Sequence, residues 1–282
     1  MRKTAFNLFI TCLFFVFNDC AKKPADNGVP PIAEPDPGVK KEVQIGRTLA
    51  ARLAKKYGLI QDKEFTVYLK SVGSSISRLS SRQELDFHFG VLNTSEVNAF
   101  ACPGGYILVT KGALDLVDNE AELAGILSHE ITHVTLQHSG KFEGKRDSIL
   151  EMIAYFMAPG GDIINELTEV SVNAMVGQFF EQGRKKEEEI ESDQAGAMYL
   201  SLAGYSVSGA SSYLSKMSKA QGNEIVLKTH PPTGERISSL ERFISQQGLN
   251  KSGKVNREEF QSKYRNFLEN WKKLPPPVKA KE

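Results

Sequence analysis

His129-Glu130-Ile131-Thr132-His133 decides how this chain is read. Histidines at i and i+4 of a helix are about 400° apart around its axis and roughly 6 Å apart along it, so both imidazoles leave one face. Two imidazoles so placed can close on one Zn²⁺ and leave it open for a water. Glu130, next to the first of them, is placed to take a proton from that water. The competing reading is two surface histidines on an amphipathic helix. Asp118 or Asn119 is a suitable N-cap for this helix.

Working outward, Leu85 to Leu92 alternates with period two and reads as a strand, and Tyr106 to Thr110 as another. Between them, Asn98-Ala-Phe-Ala-Cys-Pro-Gly-Gly105 is a short extended piece ending in a tight turn. Upstream, Ile45, Leu49, Leu53 and Tyr57 keep helical spacing from near Lys41 until Gly58. A second helix is expected over Asp62 to Leu79, with Phe65, Tyr68, Leu69, Val72 and Ile76 on its inner face. From Gly112 onward the pattern is helical, broken at Pro159-Gly161 and turning at Gly204, Gly222 and Pro231-Pro232. No repeat of solenoid length is present.

A zinc site needs a third protein ligand. His138 does not fit the three-histidine pattern, because Leu136 and Ser139 stand where that pattern needs glycine and histidine. It is read as a capping or surface residue. The run Lys185-Lys-Glu-Glu-Glu-Ile-Glu-Ser-Asp193 offers Glu189 and Asp193 at i and i+4. One carboxylate would bind the metal while the other accepts the proton on the far nitrogen of a ligand histidine. Acidic runs are more often solvated, but Ala195, Ala197, Met198, Leu200 and Leu202 follow at once and argue for burial.

These blocks carry a resemblance. Asn98 to Tyr106, His129 to His133, Glu189-Ile-Glu-Ser-Asp193 and His230-Pro-Pro-Thr-Gly-Glu-Arg236 stand in the order found in the gluzincin zinc peptidases of family M48, and the similarity spans about residues 40–247. The resemblance implies an α+β fold: a mainly α-helical, zincin-like domain with a small β-sheet edging the active-site cleft. It implies one Zn²⁺ per chain held by His129, His133 and Glu189, which settles Glu189 over Glu187, Glu188 and Glu191. Glu130 becomes the catalytic carboxylate and Asp193 the partner behind a ligand. The match is to the shorter lipoprotein type, without multipass membrane helices or a repeat array.

Other residues acquire alternatives. The Pro103-Gly104-Gly105 turn feeding Tyr106 to Thr110 reads as a sheet edge above the cleft, where a substrate strand would add beside Asn98, Ala99, Gly104 and Gly105. The alternative is a hairpin packed on the core. Arg236 either stabilises an oxyanion as a catalytic residue or pairs with Glu189, Asp193 or a carbonyl. His230 is a loop residue or, by the resemblance, a fourth zinc ligand and latency switch. His88, on a strand, is read as structural.

The bulk properties fit a folded enzyme. With 40% hydrophobic and 24% charged residues the composition is that of a soluble globular protein, and a net charge of +1 makes no electrostatic case for nucleic acid. Arg2 and Lys3 before the apolar run Phe6 to Phe17 read as a secretory signal, and Cys20 directly after it as a lipidation site. Cys102 would then be the one remaining thiol, so stability must come from the core. Residues 1–20 are thus a signal, 21–38 a Pro-rich tether, 39–250 the peptidase domain and 251–282 a polar tail with one loose helix. Residues Ala21 and Lys22 after Cys20 favour the outer membrane.

Together these readings give a zinc metalloendopeptidase on the periplasmic side of a bacterial envelope, anchored to the membrane by lipid. It would cleave unfolded or misassembled envelope proteins, with water activated by zinc and Glu130. The rival is a periplasmic chaperone or assembly factor whose zinc site is plugged by His230.

Overall fold

A computed structural model describes residues 36–138, 184–219 and 233–274. The first helix, α1 (Pro37–Tyr57), starts four residues earlier than its apolar pattern. Asp36 accepts a hydrogen bond from Gly38 N (2.7 Å), and proline occupies the first turn, where its missing N–H costs nothing. The helix therefore takes in the end of the stretch read as tether. α2 (Lys63–Ser77) is capped by Asp62, whose side chain accepts from Phe65 N at 2.8 Å.

Three strands follow: β1 (His88–Leu92), β2 (Ala99–Cys102) and β3 (Tyr106–Thr110). Their order is β1-β3-β2, with β1 parallel to β3 and β2 antiparallel to it. Period two sorts their side chains onto two faces. Leu92, Phe100, Cys102 and Leu108 pack on Ile45, Leu49 and Leu53 of α1. Val91, Ala101, Ile107 and Val109 belong to the main core with α2 and the helices that follow.

This order corrects one expectation. Tyr106 to Thr110 is the central strand, paired on both sides, and not a sheet edge. Gly104 and Gly105 adopt positive φ (68° and 95°), and an added Cβ would lie 2.4 Å from Val43 Cα at the first and 2.7 Å from Asp86 O at the second. They let the turn pack against α1 and the approach to β1. The packed-hairpin alternative describes them.

After a short helix α3 (Lys111–Leu114) comes α4 (Glu120–Thr135), capped by Asn119 through its hydrogen bond from Glu122 N (3.1 Å). Every residue of α4 except His129 is buried, so this is a central helix surrounded by others and not an amphipathic surface one. It packs against α5 (Lys186–Leu202) and α6 (Ser208–Lys219). A Cβ on Gly209 would meet Ala121 O at 2.2 Å, so only glycine allows this approach of α6 to α4. α7 (Thr233–Gln246) lies against α5 and α6.

The last helix, α8 (Arg257–Trp271), is not the loose tail expected from its polarity. Phe260 and Phe267 are 1% exposed, and the Phe267 ring lies 4.5 Å from that of Phe65 on α2. Asn270 also donates to the capping carboxylate Asp62 (2.8 Å). Among the described residues, no helix is long and apolar enough to cross a membrane.

Candidate metal centre

α4 and α5 meet at the histidine pair. His129 and His133 project from one face of α4, their rings edge to face with centroids 4.5 Å apart. Glu189 comes from the first turn of α5, and is 0% exposed. Its carboxylate oxygens lie 3.4 Å from His129 Nε2 and 3.2 Å from His133 Nε2, and the two nitrogens are 3.0 Å apart. A tetrahedral ion bonded at 2.0–2.2 Å requires ligand atoms about 3.3–3.6 Å apart. This donor triangle therefore fits a tetrahedral divalent metal with modest expansion. Among the described residues it is the one cluster of histidine, cysteine and acidic groups that meets such a requirement.

Asp193 lies one turn beyond Glu189 on α5, and its Oδ1 is 2.9 Å from His129 Nδ1. The same carboxylate is gripped by Arg236 from the first turn of α7. Nε donates to Oδ2 and Nη2 to Oδ1, both at 2.7 Å. Arg236 Nη1 is 2.9 Å from Glu189 Oε2, and Nη2 is 3.4 Å from the His129 ring. All three guanidinium nitrogens thus face the carboxylates behind the triangle. These contacts are those of the pairing alternative, and Arg236 also lines the cavity beside the triangle.

The electrostatics agree with a cation at this corner. Burial pulls the His129 pKa down, but hydrogen bonds and charges from Asp193 and Glu189 outweigh it and push the value up to about 9. His133 goes the other way: burial, with the positive charges of Arg184 and His129, holds it well below the ordinary histidine range despite Glu189. A neutral imidazole is the form that binds a metal. Asp193 is held below its usual range, since Arg236 overcomes the effect of burial.

Beside the triangle opens a cavity whose wall carries both His129 and Glu130. Asn98 and Ala99 at the start of β2 form one side, and Tyr213, Leu214 and Met217 of α6 another. Of the substrate-edge residues, Asn98 and Ala99 line this cavity while Gly104 and Gly105 pack elsewhere. His88 stacks on Tyr106, with centroids 4.7 Å apart, in keeping with a structural residue. Cys20 and His230 lie outside the described residues.

Sequence reasoning missed two groups. Tyr213 gave no signal, because nothing local says which face of α6 meets the cavity. His138 is 7% exposed and 2.9 Å from His133, not on the surface. Its spacing of five from His133 is outside the helical i+4 register, so it carried no metal-site signature.

The model of peptidase family M48 matches residues 64–244. The beta-barrel assembly-enhancing protease of Escherichia coli (strain K12) is 26% identical over 222 residues, covering 74% of this chain and 45% of that protein. Metalloprotease YcaL of the same organism is 24% identical over 206 residues, covering 72% and 76%. The mitochondrial metalloendopeptidase OMA1 of Arabidopsis thaliana is 31% identical over 155 residues, covering 53% and 30%. The chain spans less than half the length of the assembly-enhancing protease it matches. It belongs to peptidase family M48.

Proposed function

We propose that the chain is a zinc-dependent endopeptidase of a bacterial envelope, hydrolysing peptide bonds in unfolded or misassembled envelope proteins. The observation that carries this reading is the triangle of His129, His133 and Glu189, with Glu130 on the wall of the adjoining cavity. These three side chains would hold one zinc ion. When bound, zinc lowers the pKa of a water and polarises the scissile carbonyl. Glu130 takes the proton of the attacking water and returns it to the leaving amine. Asp193 accepts the Nδ1 proton of His129, which keeps the Nε2 lone pair turned into the triangle. Arg236 is a positioning residue that neutralises and orients Glu189 and Asp193.

Asn98 and Ala99 align an extended substrate. Asn98 lines the cavity, and its buried Nδ2 has no hydrogen-bond partner among the described residues, so a substrate carbonyl that reached it would satisfy an orphaned donor. A site that binds backbone in this way favours unfolded segments. The envelope assignment is supported by the basic, apolar and cysteine order of residues 1–20, which reads as a signal with Cys20 lipidated, and Ala21 and Lys22 after it favour the outer membrane.

Cleavage of casein by the full chain tests the chemistry. Glu130→Gln should lower kcat/KM by about 100- to 10,000-fold with zinc still bound. Cleavage at the parent rate by zinc-loaded Glu130→Gln would contradict the mechanism.

A further inference from the structure

The second ligand histidine has a network behind it that the proposed chemistry does not use. His133 Nε2 faces Glu189, so for that nitrogen to offer a lone pair the ring proton must sit on Nδ1. His133 Nδ1 lies 2.9 Å from His138 Nδ1 and 3.0 Å from Ser192 Oγ. Two ring nitrogens at that distance share one proton, because two protons would clash and none would bring two lone pairs together. With the proton on His133, His138 Nδ1 is the acceptor and His138 carries its own proton on Nε2. That nitrogen is 3.3 Å from Glu191 Oε2, an acceptor that selects the same tautomer. Ser192 Oγ, 3.2 Å from His138 Nδ1, can accept from one ring and donate to the other.

The chain takes an unusual step to place this ring. Gln137 has φ 56°, in the left-handed region that non-glycine residues rarely enter. His138 N then donates to His133 O at 3.0 Å, which folds the chain back under the helix end. The His138 ring meets His133 edge on, centroids 5.1 Å apart, with its side chain 1% exposed. Glu191 and Ser192 belong to the helix turn that also supplies Glu189 and Asp193.

We propose that His138, anchored by Glu191, is a positioning residue that holds His133 in the tautomer whose Nε2 lone pair faces the donor triangle. This rests on the zinc site proposed above. Each ligand histidine of α4 would then be fixed from behind by α5: His129 directly by Asp193, and His133 by Glu191 through His138.

The test uses the full chain stripped of metal, with zinc itself as the probe. Nitrogen-15 NMR of histidine-labelled protein at neutral pH should show His133 as the Nδ1–H tautomer in the parent. In His138→Phe it should shift toward Nε2–H, the form that unconstrained imidazole favours. Competition with a chromophoric chelator should show zinc bound roughly tenfold to a hundredfold more weakly by His138→Phe. His138→Gln, whose carbonyl oxygen can accept the Nδ1 proton, should recover most of the loss. Glu191→Ala, at a side chain 57% exposed and so tolerant of change, should weaken zinc binding by less and in the same direction. Parent-like zinc affinity and His133 signals in His138→Phe overturn the proposal, as does a His138→Gln variant no tighter than His138→Phe. A parent that binds no zinc overturns the site reading and this proposal with it. A zinc-binding parent indifferent to His138 overturns this proposal alone.

Discussion

Glu189 and Asp193 stand one helical turn apart in the interior, and neither carboxylate tolerates burial without a counter-charge. Arg236 supplies it with a fork that matches Asp193 in two hydrogen bonds and reaches Glu189 with its third nitrogen. Arg236→Ala should therefore destabilise the protein by about 3–5 kcal/mol in urea unfolding. Arg236→Lys should recover only part of that, since an ammonium cannot make the bidentate contact. The two roles weighed for Arg236 separate at saturating zinc. A positioning residue lets kcat return toward the parent value, whereas loss of an oxyanion donor leaves it depressed about 100- to 1000-fold. The i, i+4 pairs His129/His133 and Glu189/Asp193 were readable because a helix brings their members together by local geometry alone. The pairing of Arg236 with these carboxylates could be named only as one of two alternatives, because it joins α5 to α7 across more than forty residues of sequence.

Among the elements, α4 orders the rest. Its N-terminus holds Glu120, 5% exposed, whose carboxylate accepts from Tyr68 OH on α2 (2.7 Å), Tyr205 OH (2.8 Å) and Asn256 Nδ2 (2.8 Å). A negative charge in the first turn also suits the helix dipole. The two phenols are pushed above the ordinary tyrosine range, chiefly by burial and then by this carboxylate, and so remain donors. Glu120→Ala strands three donors and should cost about 3 kcal/mol or more, read from the urea midpoint; a change below 1 kcal/mol would mean the network contributes little. The cap at Asn119 was legible, as one of two candidates with Asp118, because its chemistry is local. The rank of β3 in the sheet was not, since period two marks a strand without naming its neighbours. The return of the chain at Gln137 was hidden for a related reason: no glycine announces the left-handed turn that carries His138 inward.

Over the whole molecule, α1 covers one face of the small sheet and the main core fills the other, with the metal centre where α4, α5 and α7 converge. α8 closes the far side of that core. Its aromatic residues Phe260, Tyr264 and Phe267 lie at i, i+4 and i+7, a helical stripe that the surrounding charges obscured. The domain therefore extends beyond residue 250. Phe267→Ala should lower stability by about 3–5 kcal/mol in chemical unfolding, an effect that a loosely attached tail helix would not give.

The account depends most on the triangle of His129, His133 and Glu189. Diffraction from the zinc-loaded protein at the zinc absorption edge tests it directly. It should place one anomalous peak about 2.0–2.2 Å from His129 Nε2, His133 Nε2 and a Glu189 carboxylate oxygen. A zinc-loaded, active protein whose peak lies away from these three side chains would contradict it.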